Sequence, residues 1–465
     1  MPRPRSVIKA KKPRERMTLT VAGEKRKKEL ARIVSDTLTQ PARAAITLTP
    51  CQEKALALLR GNDNVFLTGA AGTGKSTLLR IFLEGKPSAL FPVVASTGVS
   101  AILVGGRTFH SFFGLGILEG GVAGAVSRAC QNKRVLARLR RARGIVIDEV
   151  SMLPGEVLRA AEHIARYARE IDAPWGGLQV IAVGDFAQLP PVAANGDDKD
   201  WAFLSNVWEE TAFSPALLQT CVRTNEPEFL SVLNLVRQGI VNEEVADFLN
   251  AKIMPPSLLF EGTRLFPHRA SAEAHNRERL AQLPGTPTII DTVYAGQERF
   301  VTQLQRNCPI PDALHLKRNA LVMIRKNDVR LRYVNGSLGR LKKITAETLT
   351  VELLSGEDVD IGKTVFELMD GNGAEVASAW NFPVNLAWAS TIHKSQGATL
   401  DRIMVDLSRL WEPGQAYVAL SRVRSSAGLC IECWNPSSII ADSSVMQYYQ
   451  YLIEGDIPGS ESAAV

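Results

Sequence analysis

The sequence predicts an α/β protein built on parallel sheets, with a small SH3-like β-barrel inserted late in the chain. Three observations predict it. Short, wholly apolar runs alternate with helical stretches: NVFLTG, FPVVAST, GIVIDE and LQVIAVGD. Strands that are apolar throughout belong to sheets covered on both faces, which is the parallel arrangement. A glycine-rich phosphate-binding signature follows the first run and opens a helix, the context that signature requires. Finally, residues 312–383 change character, with ALVMIRKND, YVNGSLGRLKKI and TLTVELLSG reading as short strands joined by tight glycine turns.

Taken in order, residues 1–45 form a basic tail, expected to be disordered, with clusters at Lys9, Lys11, Lys12 and Lys25 to Lys28. It holds 13 Lys+Arg against 4 Asp+Glu, a net +9, so the rest of a chain whose total is +6 carries −3. Any groove for a polyanion such as nucleic acid in the body would therefore have to be a local patch, because the global field does not steer one to it. The tail reads as an electrostatic arm that touches phosphate, an organelle or nuclear address, or a plain solvated extension. Glu15, Glu24 and Glu29 argue against a mitochondrial presequence, and no apolar core of a secretory signal is present.

Residues 46–215 form the first lobe. Near residues 214–224 the α/β rhythm pauses, and a second lobe occupies 216–311 and 384–440, interrupted by the barrel at 312–383. Residues 441–465 are a C-terminal helix and frayed end. At 465 residues the chain exceeds one compact core. The stretch from Phe91 to Gly106 comes nearest to a membrane span, but Ser, Thr and Gly interrupt it. Of the cysteines at 51, 130, 221, 308, 430 and 433, only Cys430 and Cys433 make a CxxC. No second pair completes a zinc site, GLCIECW reads as a buried strand, and a reducing intracellular compartment follows.

The chemistry is concentrated in a few segments. In NVFLTGAAGTGKSTLL, residues Gly69, Ala70, Ala71, Gly72, Thr73, Gly74, Lys75, Ser76 and Thr77 span G-x-x-x-x-G-K-[ST] and its helix start. Glycines let backbone N–H groups turn around phosphates, and the helix N-terminus adds its positive end. Lys75 is expected on the β- and γ-phosphates of ATP, and the Ser76 hydroxyl on Mg2+. In GIVIDEVSML the strand delivers Asp148 to the magnesium shell and Glu149 to the attacking water. In GDFAQLPPV, Gln188 is neutral and suited to hydrogen-bond the γ-phosphate and that water. Gln52, in TLTPCQEKAL, presents donor and acceptor together, which suits an adenine edge. Phosphoryl transfer also calls for an arginine finger, and Arg223 in TCVRTNE and Arg422 in QAYVALSRV are candidates, although isolated arginines are usually surface residues.

These motifs in this order resemble superfamily-one DNA helicases, and within them the PIF-type (petite integration frequency) helicases, relatives of the RecD and Dda groups. The match runs from about Leu48 to Cys433, through VVASTGVSAILVGGRTFHSF, GDFAQLPPV, ASTIHKSQGATLDRI and QAYVALSRV. AEHIARYAREIDAPWGG is similar to the segment that sets PIF-type enzymes apart from RecD. The resemblance implies two RecA-like lobes with ATP between them and single-stranded DNA across both. It implies Gln52 on adenine, Lys75, Ser76, Asp148 and Glu149 on phosphate, metal and water, and Gln188, Arg223 and Arg422 on the γ-phosphate. Gln396 and Gly397 join the nucleotide contacts. It also implies 5′ to 3′ movement. One departure is Thr224, where relatives often carry Gln.

On the strand path the resemblance points to Thr97, Gly98, Thr108, His110 and Ser111 in the first lobe, and Thr391, His393, Lys394 and Ser395 in the second. Hydroxyls, backbone N–H and one lysine can hold phosphates without reading bases. Phe109, Phe112 and Phe113 are candidates for base stacking, although phenylalanines so closely spaced are more often packing, and Arg330, Arg332 and Lys342 are candidates for a strand exit along the barrel, where charge is usually just solvated. The loop around Gly114 to Gly124 is a candidate pin for separating duplex. The function expected is an ATP-dependent DNA helicase acting in genome maintenance as a monomer, on single strands and junctions, G-quadruplexes or RNA–DNA hybrids. The rival readings are a translocase that displaces proteins with little unwinding, a DNA-binding module with a vestigial phosphate loop, and an NTPase of another class.

Overall fold

The computed structural model describes residues 47–454 apart from 98–99, 102–105, 116–120, 192–198, 256–259, 327, 329–331, 334 and 370–374. Expectations on the basic tail, Gly98, Arg330, the middle of the Gly114–Gly124 loop and the end from residue 455 lie outside the described residues. Residues 50–465 cluster as one unit, separate from 1–49.

The apolar runs of the first lobe pair as β1 (Val65–Gly69), β2 (Val93–Ala95), β3 (Arg107–Thr108), β4 (Gly144–Asp148), β5 (Gln179–Gly184) and β6 (Ser214–Leu218). The order is β3-β2-β4-β5-β1-β6, and every pair is parallel. All of β1 is buried, as a strand covered on both faces requires. The helices that matter for the site are α1 (Pro50–Arg60), α2 (Lys75–Leu83) and α3 (Phe109–Phe113), with α4 (Gly155–Arg169) behind them. The segment expected to distinguish the family forms the end of α4 and the turn after it. Arg169 ties this turn down, donating to the carbonyls of Gly176 at 2.5 Å, Leu139 at 2.9 Å and Ala142 at 2.9 Å. The buried Glu162 accepts from Trp175 N at 3.0 Å.

β6 corrects the expected boundary at 215. It runs to Leu218 and pairs with β1, so the first sheet extends past the pause. Pro215 lies within β6, an edge strand, where proline is tolerated.

The second lobe is organised by α5 (Pro227–Arg237) and by β7 (Thr263–Phe266), followed by β8 (Thr288–Asp291), β9 (Val293–Gly296), β10 (Ala313–Leu316) and β11 (Leu321–Ile324). Then come β12 (Leu338–Ile344), β13 (Thr348–Leu353), β14 (Asp358–Gly362), β15 (Thr364–Met369), β16 (Glu375–Asn381) and β17 (Val384–Leu386). The chain returns to the α/β pattern with β18 (Ala389–Thr391), α6 (Ile392–Ser395), β19 (Ile403–Leu407), α7 (Gln415–Leu420), β20 (Leu429–Trp434) and α8 (Ser443–Glu454). A parallel sheet forms in the order β18-β7-β19-β20, and an antiparallel one in the order β14-β13-β12-β11-β17.

The expected edges of the insertion, 312 and 383, cut through paired strands. β9 pairs with β16, β10 with β8, and β17 with β11. Hydrogen-bonded partners across a boundary defeat it, whatever the composition on either side. The antiparallel sheet also shares its core with the parallel one, since Val322, Leu341 and Val351 cluster with Phe229, Leu265, Val405 and Val418. The C-terminal helix α8 packs on the first lobe. Val445 and Tyr449 join the core of Phe66, Phe186 and Trp201, and the Tyr448 ring stacks on Phe203 with centroids 4.5 Å apart.

Candidate functional site

The carboxyl end of β1 passes into the glycine loop and then α2, which begins at Lys75. Gly74, at φ 89°, precedes it with no side-chain cap, so the free N–H groups of the helix start face outward, ready for an anion. A Cβ at Gly74 would sit 2.5 Å from Gln52 Nε2, and left-handed φ is a conformation that glycine adopts without penalty. Lys75 folds back and donates to the carbonyls of Gly69 at 2.7 Å and Ala70 at 3.1 Å. Burial lowers its pKa against the opposing pull of Asp185 and Glu149.

A cavity of about 360 Å³ opens here. From the first lobe Ala71, Gly72, Gly74, Lys75, Ser76, Thr77, Asp148, Glu149, Gly184 and Gln188 line it, and from the second Arg223, Gly397, Thr399, Arg422 and Arg424. Of the sequence-predicted residues it thus gathers Lys75, Ser76, Asp148, Glu149, Gln188, Arg223, Arg422 and Gly397 on one space. It does not gather Gln52, which is buried and donates to the Thr73 carbonyl at 3.0 Å. Gln52 braces the loop in this arrangement instead of meeting a base. Gly69, Ala70 and Thr73 are likewise internal to the loop, with Thr73 Oγ1 donating to Ala70 O at 2.9 Å.

Asp148 and Glu149 stand at the end of β4. Burial first, and then the charge of Glu149, push the Asp148 carboxyl up to about 7. One Asp148 oxygen accepts the N–H of Glu149 at 3.0 Å. Glu149 holds φ 53°, a strain of roughly 1–3 kcal/mol for a non-glycine residue and a common mark of functional sites. Two crowded carboxylates with the Ser76 hydroxyl on the same cavity supply oxygen donors, which suit a hard cation such as Mg2+. Among the described residues no group of three or more His, Cys, Asp or Glu could hold a metal by itself, so water and phosphate oxygens would complete the shell. Gln396, expected on the nucleotide, instead donates through Nε2 to Glu149 at 3.0 Å.

The second lobe faces this with guanidinium groups. Arg422, only 2% exposed, donates from Nε to Val418 O at 2.7 Å and from Nη2 to Ser421 Oγ at 2.7 Å. Its Nη1 reaches the carbonyls of Ser395 at 3.3 Å and Ala398 at 3.5 Å. Burial and then the neighbouring Arg223 bring its pKa down to about 9, so the group is still charged at neutral pH. Arg223 donates to Ser421 O at 2.5 Å, and a Cβ on Gly72 would meet its Cβ at 2.6 Å. Among the described residues neither has a carboxylate partner within ion-pair distance. With Lys75 and Arg424 the cavity holds four cationic side chains against the two carboxylates, an excess that favours a polyanion.

Sequence reading missed a polar cluster beneath this cavity. Asp185, in the quoted GDFAQLPPV, has its side chain wholly buried and pairs with Arg237 Nη2 at 2.8 Å. The hydroxyl of Tyr449 donates to Asp185 at 3.0 Å and meets Thr68 Oγ1 at 2.8 Å. Tyr417, in the quoted QAYVALSRV, accepts the N–H of Ala71 at 2.7 Å. A signal existed for Asp185 and Tyr417, which sit inside recognised motifs; an arginine ending a helix and a tyrosine near the C-terminus carry none. Arg424 and Thr399 on the cavity wall were also unforeseen.

The expected strand path divides. Thr108 caps α3 by accepting Ser111 N at 3.2 Å, while Ser111 Oγ accepts from Arg107 at 3.1 Å. His110 is half-buried with its pKa lowered by burial, and Thr97 Oγ1 donates to Ser100 Oγ at 2.8 Å. The second lobe repeats the device: Thr391 caps α6 by accepting Lys394 N at 3.1 Å. His393 Nε2 lies 3.6 Å from Glu412, and Lys394 is exposed. Ser395 is a correction. Its side chain is buried and its hydroxyl donates to Ile392 O at 2.7 Å, so it helps seat Arg422 and presents no hydroxyl to a strand. Thr391 is also buried. Phe109, Phe112 and Phe113 are core residues at 0%, 3% and 0% exposure, which removes them as stacking platforms. Arg332, between β11 and β12, pairs with Asp328 at 2.9 Å, and Lys342, on β12, with Glu352 and Asp358 at 3.1 Å, which makes both ion-pair partners.

A family model described as PIF1-like helicase matches residues 49–246. The chain is 49% identical over 405 residues to the ATP-dependent DNA helicase Pif1 of Bdellovibrio bacteriovorus, covering 87% of this chain and 92% of that one. It is 35% identical over 407 residues to the ATP-dependent DNA helicase PIF1 of Homo sapiens, covering 86% of this chain but 63% of that longer protein. Among solved structures, Bacteroides sp Pif1 in complex with ADP-AlF4 superposes with a TM-score of 0.78 at 30% identity, over 88% of this chain and 98% of that one. Bacteroides Pif1 bound to ssDNA gives 0.61 at the same identity and the same shares.

Proposed function

The chain belongs to the PIF1-like helicase family and is an ATP-dependent DNA helicase, and from that premise we propose that it translocates 5′ to 3′ on single-stranded DNA with ATP held between two RecA-like lobes. The five-stranded antiparallel sheet corresponds in this reading to an SH3-like insertion in the second lobe. The observation that carries the mechanism is the pair of guanidinium groups, Arg223 and Arg422, lining one cavity with the glycine loop and, among the described residues, with no carboxylate within ion-pair distance of either. Lys75 leaves the loop carbonyls to take the β- and γ-phosphates. Ser76 and Asp148 hold magnesium, which supplies charge neutralisation on the phosphates. Glu149 takes the proton of the attacking water, and Gln396 keeps its carboxylate in place. Gln188 orients that water, and Arg223 and Arg422 stabilise the charge on the departing phosphoryl group.

ATP binding draws the arginine-bearing lobe toward the loop, and hydrolysis removes the bridge. Thr97, Thr108, His110 and Ser111 grip the strand on one lobe and His393 and Lys394 on the other, so alternating closure ratchets DNA across them. Both halves of the nucleotide site lie on one chain, which supports action as a monomer. Work on junctions, G-quadruplexes or RNA–DNA hybrids, in replication, repair, recombination or telomere maintenance, extends this reading to an enzyme acting wherever the cell keeps its DNA.

The test is DNA-stimulated ATPase together with unwinding of 5′- and 3′-tailed duplexes. A 5′-tail preference is expected, and Lys75→Ala should abolish turnover while leaving single-strand binding measurable. Preference for a 3′ tail would overturn the direction, turnover surviving Lys75→Ala would overturn the site, and ATPase without unwinding would favour a translocase.

A further inference from the structure

The cluster under the nucleotide cavity joins three parts of the chain that the hydrolysis reading leaves unused. Asp185 follows the last residue of β5 and is fully buried. Arg237, the last residue of α5, comes from the second lobe and spans the carboxylate, Nη2 to Oδ1 at 2.8 Å and Nε to Oδ2 at 3.4 Å. Tyr449, on α8, completes the seat. Its ring lies 4.3 Å under the Arg237 guanidinium, its hydroxyl donates to Asp185 at 3.0 Å, and it accepts the N–H of Phe186 at 3.0 Å.

This seat adjoins the reacting groups. Gln188 Nε2 donates to Asp185 Oδ2 at 3.4 Å, and the Tyr449 hydroxyl reaches Thr68, one residue before the glycine loop. Among the charges around Lys75, Asp185 exerts the strongest attraction. A buried carboxylate with no guanidinium beside it must find another cation, and the lysine that should hold the phosphates already feels its charge.

We propose that Arg237, clamped on Asp185 by Tyr449, is a positioning residue for ATP binding and hydrolysis: it neutralises the Asp185 carboxylate so that Lys75 is not drawn away from the phosphates, while Gln188 is held beside them by the same carboxylate. The pair also ties the end of a second-lobe helix to the segment after β5 that carries Gln188, so movement of that helix is felt at the nucleotide. This rests on the nucleotide reading above, and wild-type ATP binding tests that reading separately.

The experiment compares wild type, Arg237→Met, Asp185→Asn and the double variant Asp185→Asn/Arg237→Met. KM and kcat for ATP are measured with single-stranded DNA present, and the dissociation constant of a fluorescent ATP analogue is measured directly. Arg237→Met should raise KM and the dissociation constant at least tenfold, because Lys75 turns to the stranded carboxylate. The double variant, with both charges gone, should return to within about threefold of Asp185→Asn alone. A residue that merely props the fold would show no such rescue. Unchanged nucleotide affinity in Arg237→Met overturns the proposal, as does a double variant no better than Arg237→Met. If Arg237→Met does not fold, the comparison of Asp185→Asn with the double variant decides. Near-equal affinities support the proposal, and a further tenfold loss overturns it. Failure of wild type to bind the analogue at all would refute the nucleotide reading instead.

Discussion

Arg422→Ala separates the finger reading from a structural one, because the surroundings of Arg422 set both sides of its energy. The guanidinium is fully enclosed, makes two firm hydrogen bonds at 2.7 Å and two long ones at 3.3 and 3.5 Å, and all its acceptors are uncharged. Losing the two firm bonds costs about 1.5–3 kcal/mol each. Against that, removing an enclosed cation without an anion relieves a desolvation penalty that is itself on the order of several kcal/mol. The two nearly cancel, so the variant should fold, with a melting shift of a few degrees. Activity has no such compensation. A finger contributes roughly 10³–10⁵ in rate, which is about 4–7 kcal/mol of transition-state stabilisation at 1.36 kcal/mol per tenfold. The assay is single-strand-stimulated ATPase alongside binding of ADP and of a non-hydrolysable ATP analogue. ADP has no γ-phosphate, so its affinity should stay within about twofold while the analogue weakens about tenfold and kcat falls at least a thousandfold. A kcat within tenfold of wild type would refute the reasoning. So would equal losses for ADP and the analogue, which would mean that Arg422 shapes the pocket without meeting the γ-phosphate.

Gln396→Ala removes the amide that holds Glu149 and should lower kcat about tenfold with ATP affinity unchanged, since a hydrogen bond to a charged group contributes about 1.5–3 kcal/mol. Gln396→Glu places a like charge there and should be worse, which steady-state kinetics will read. Asp148 has a folded pKa raised to about 7 from 3.8, so the metal-free fold gains most from it at low pH and loses that contribution as pH rises through 7. On the proposed role of Asp148, Mg2+ would displace that proton, so Mg2+ affinity, titrated calorimetrically with an ATP analogue present, should fall toward tenfold per pH unit below 7 and level off above it. Removing residues 1–45, with their net +9, should weaken single-strand binding most at low salt and leave kcat nearly unchanged. Fluorescence anisotropy across a salt series checks this.

What the sequence made legible follows how local each device is. The glycine loop is a contiguous chemical statement: its spacing, the strand before it and the helix after it prescribe one backbone shape, and the structure has that shape at Gly72, Gly74 and Lys75. The parallel sheets were legible for the same reason, because a wholly apolar strand reports its own two-sided burial. Boundaries were not, since Pro215 in β6 and the pairing of β9 with β16 depend on which distant strand lies alongside. The phenylalanines of TFHSFF carry identical chemistry whether they meet a base or a core, and only burial decides. Ser395 misled in a similar way, its hydroxyl being taken up by its own helix.

The second lobe's contribution to the site was the hardest part to read from residues alone, and the reason is electrostatic. An arginine in a sequence is by default a solvated cation, and nothing in QAYVALSRV says that Arg422 is sealed inside the fold among carbonyls. The structure turns that residue into an argument. A fold that encloses guanidinium groups facing a glycine loop accepts a standing electrostatic cost, and on the first-lobe side it crowds Asp148 against Glu149 at a similar cost. Each set is relieved by the other's complement: the arginines by phosphate oxygens, the carboxylates by a divalent cation. On the proposed function, a magnesium–triphosphate complex between the lobes would satisfy both at once. Losing the γ-phosphate therefore returns the cost mainly on the arginine side, and the lobe carrying Arg223 and Arg422 has reason to move away.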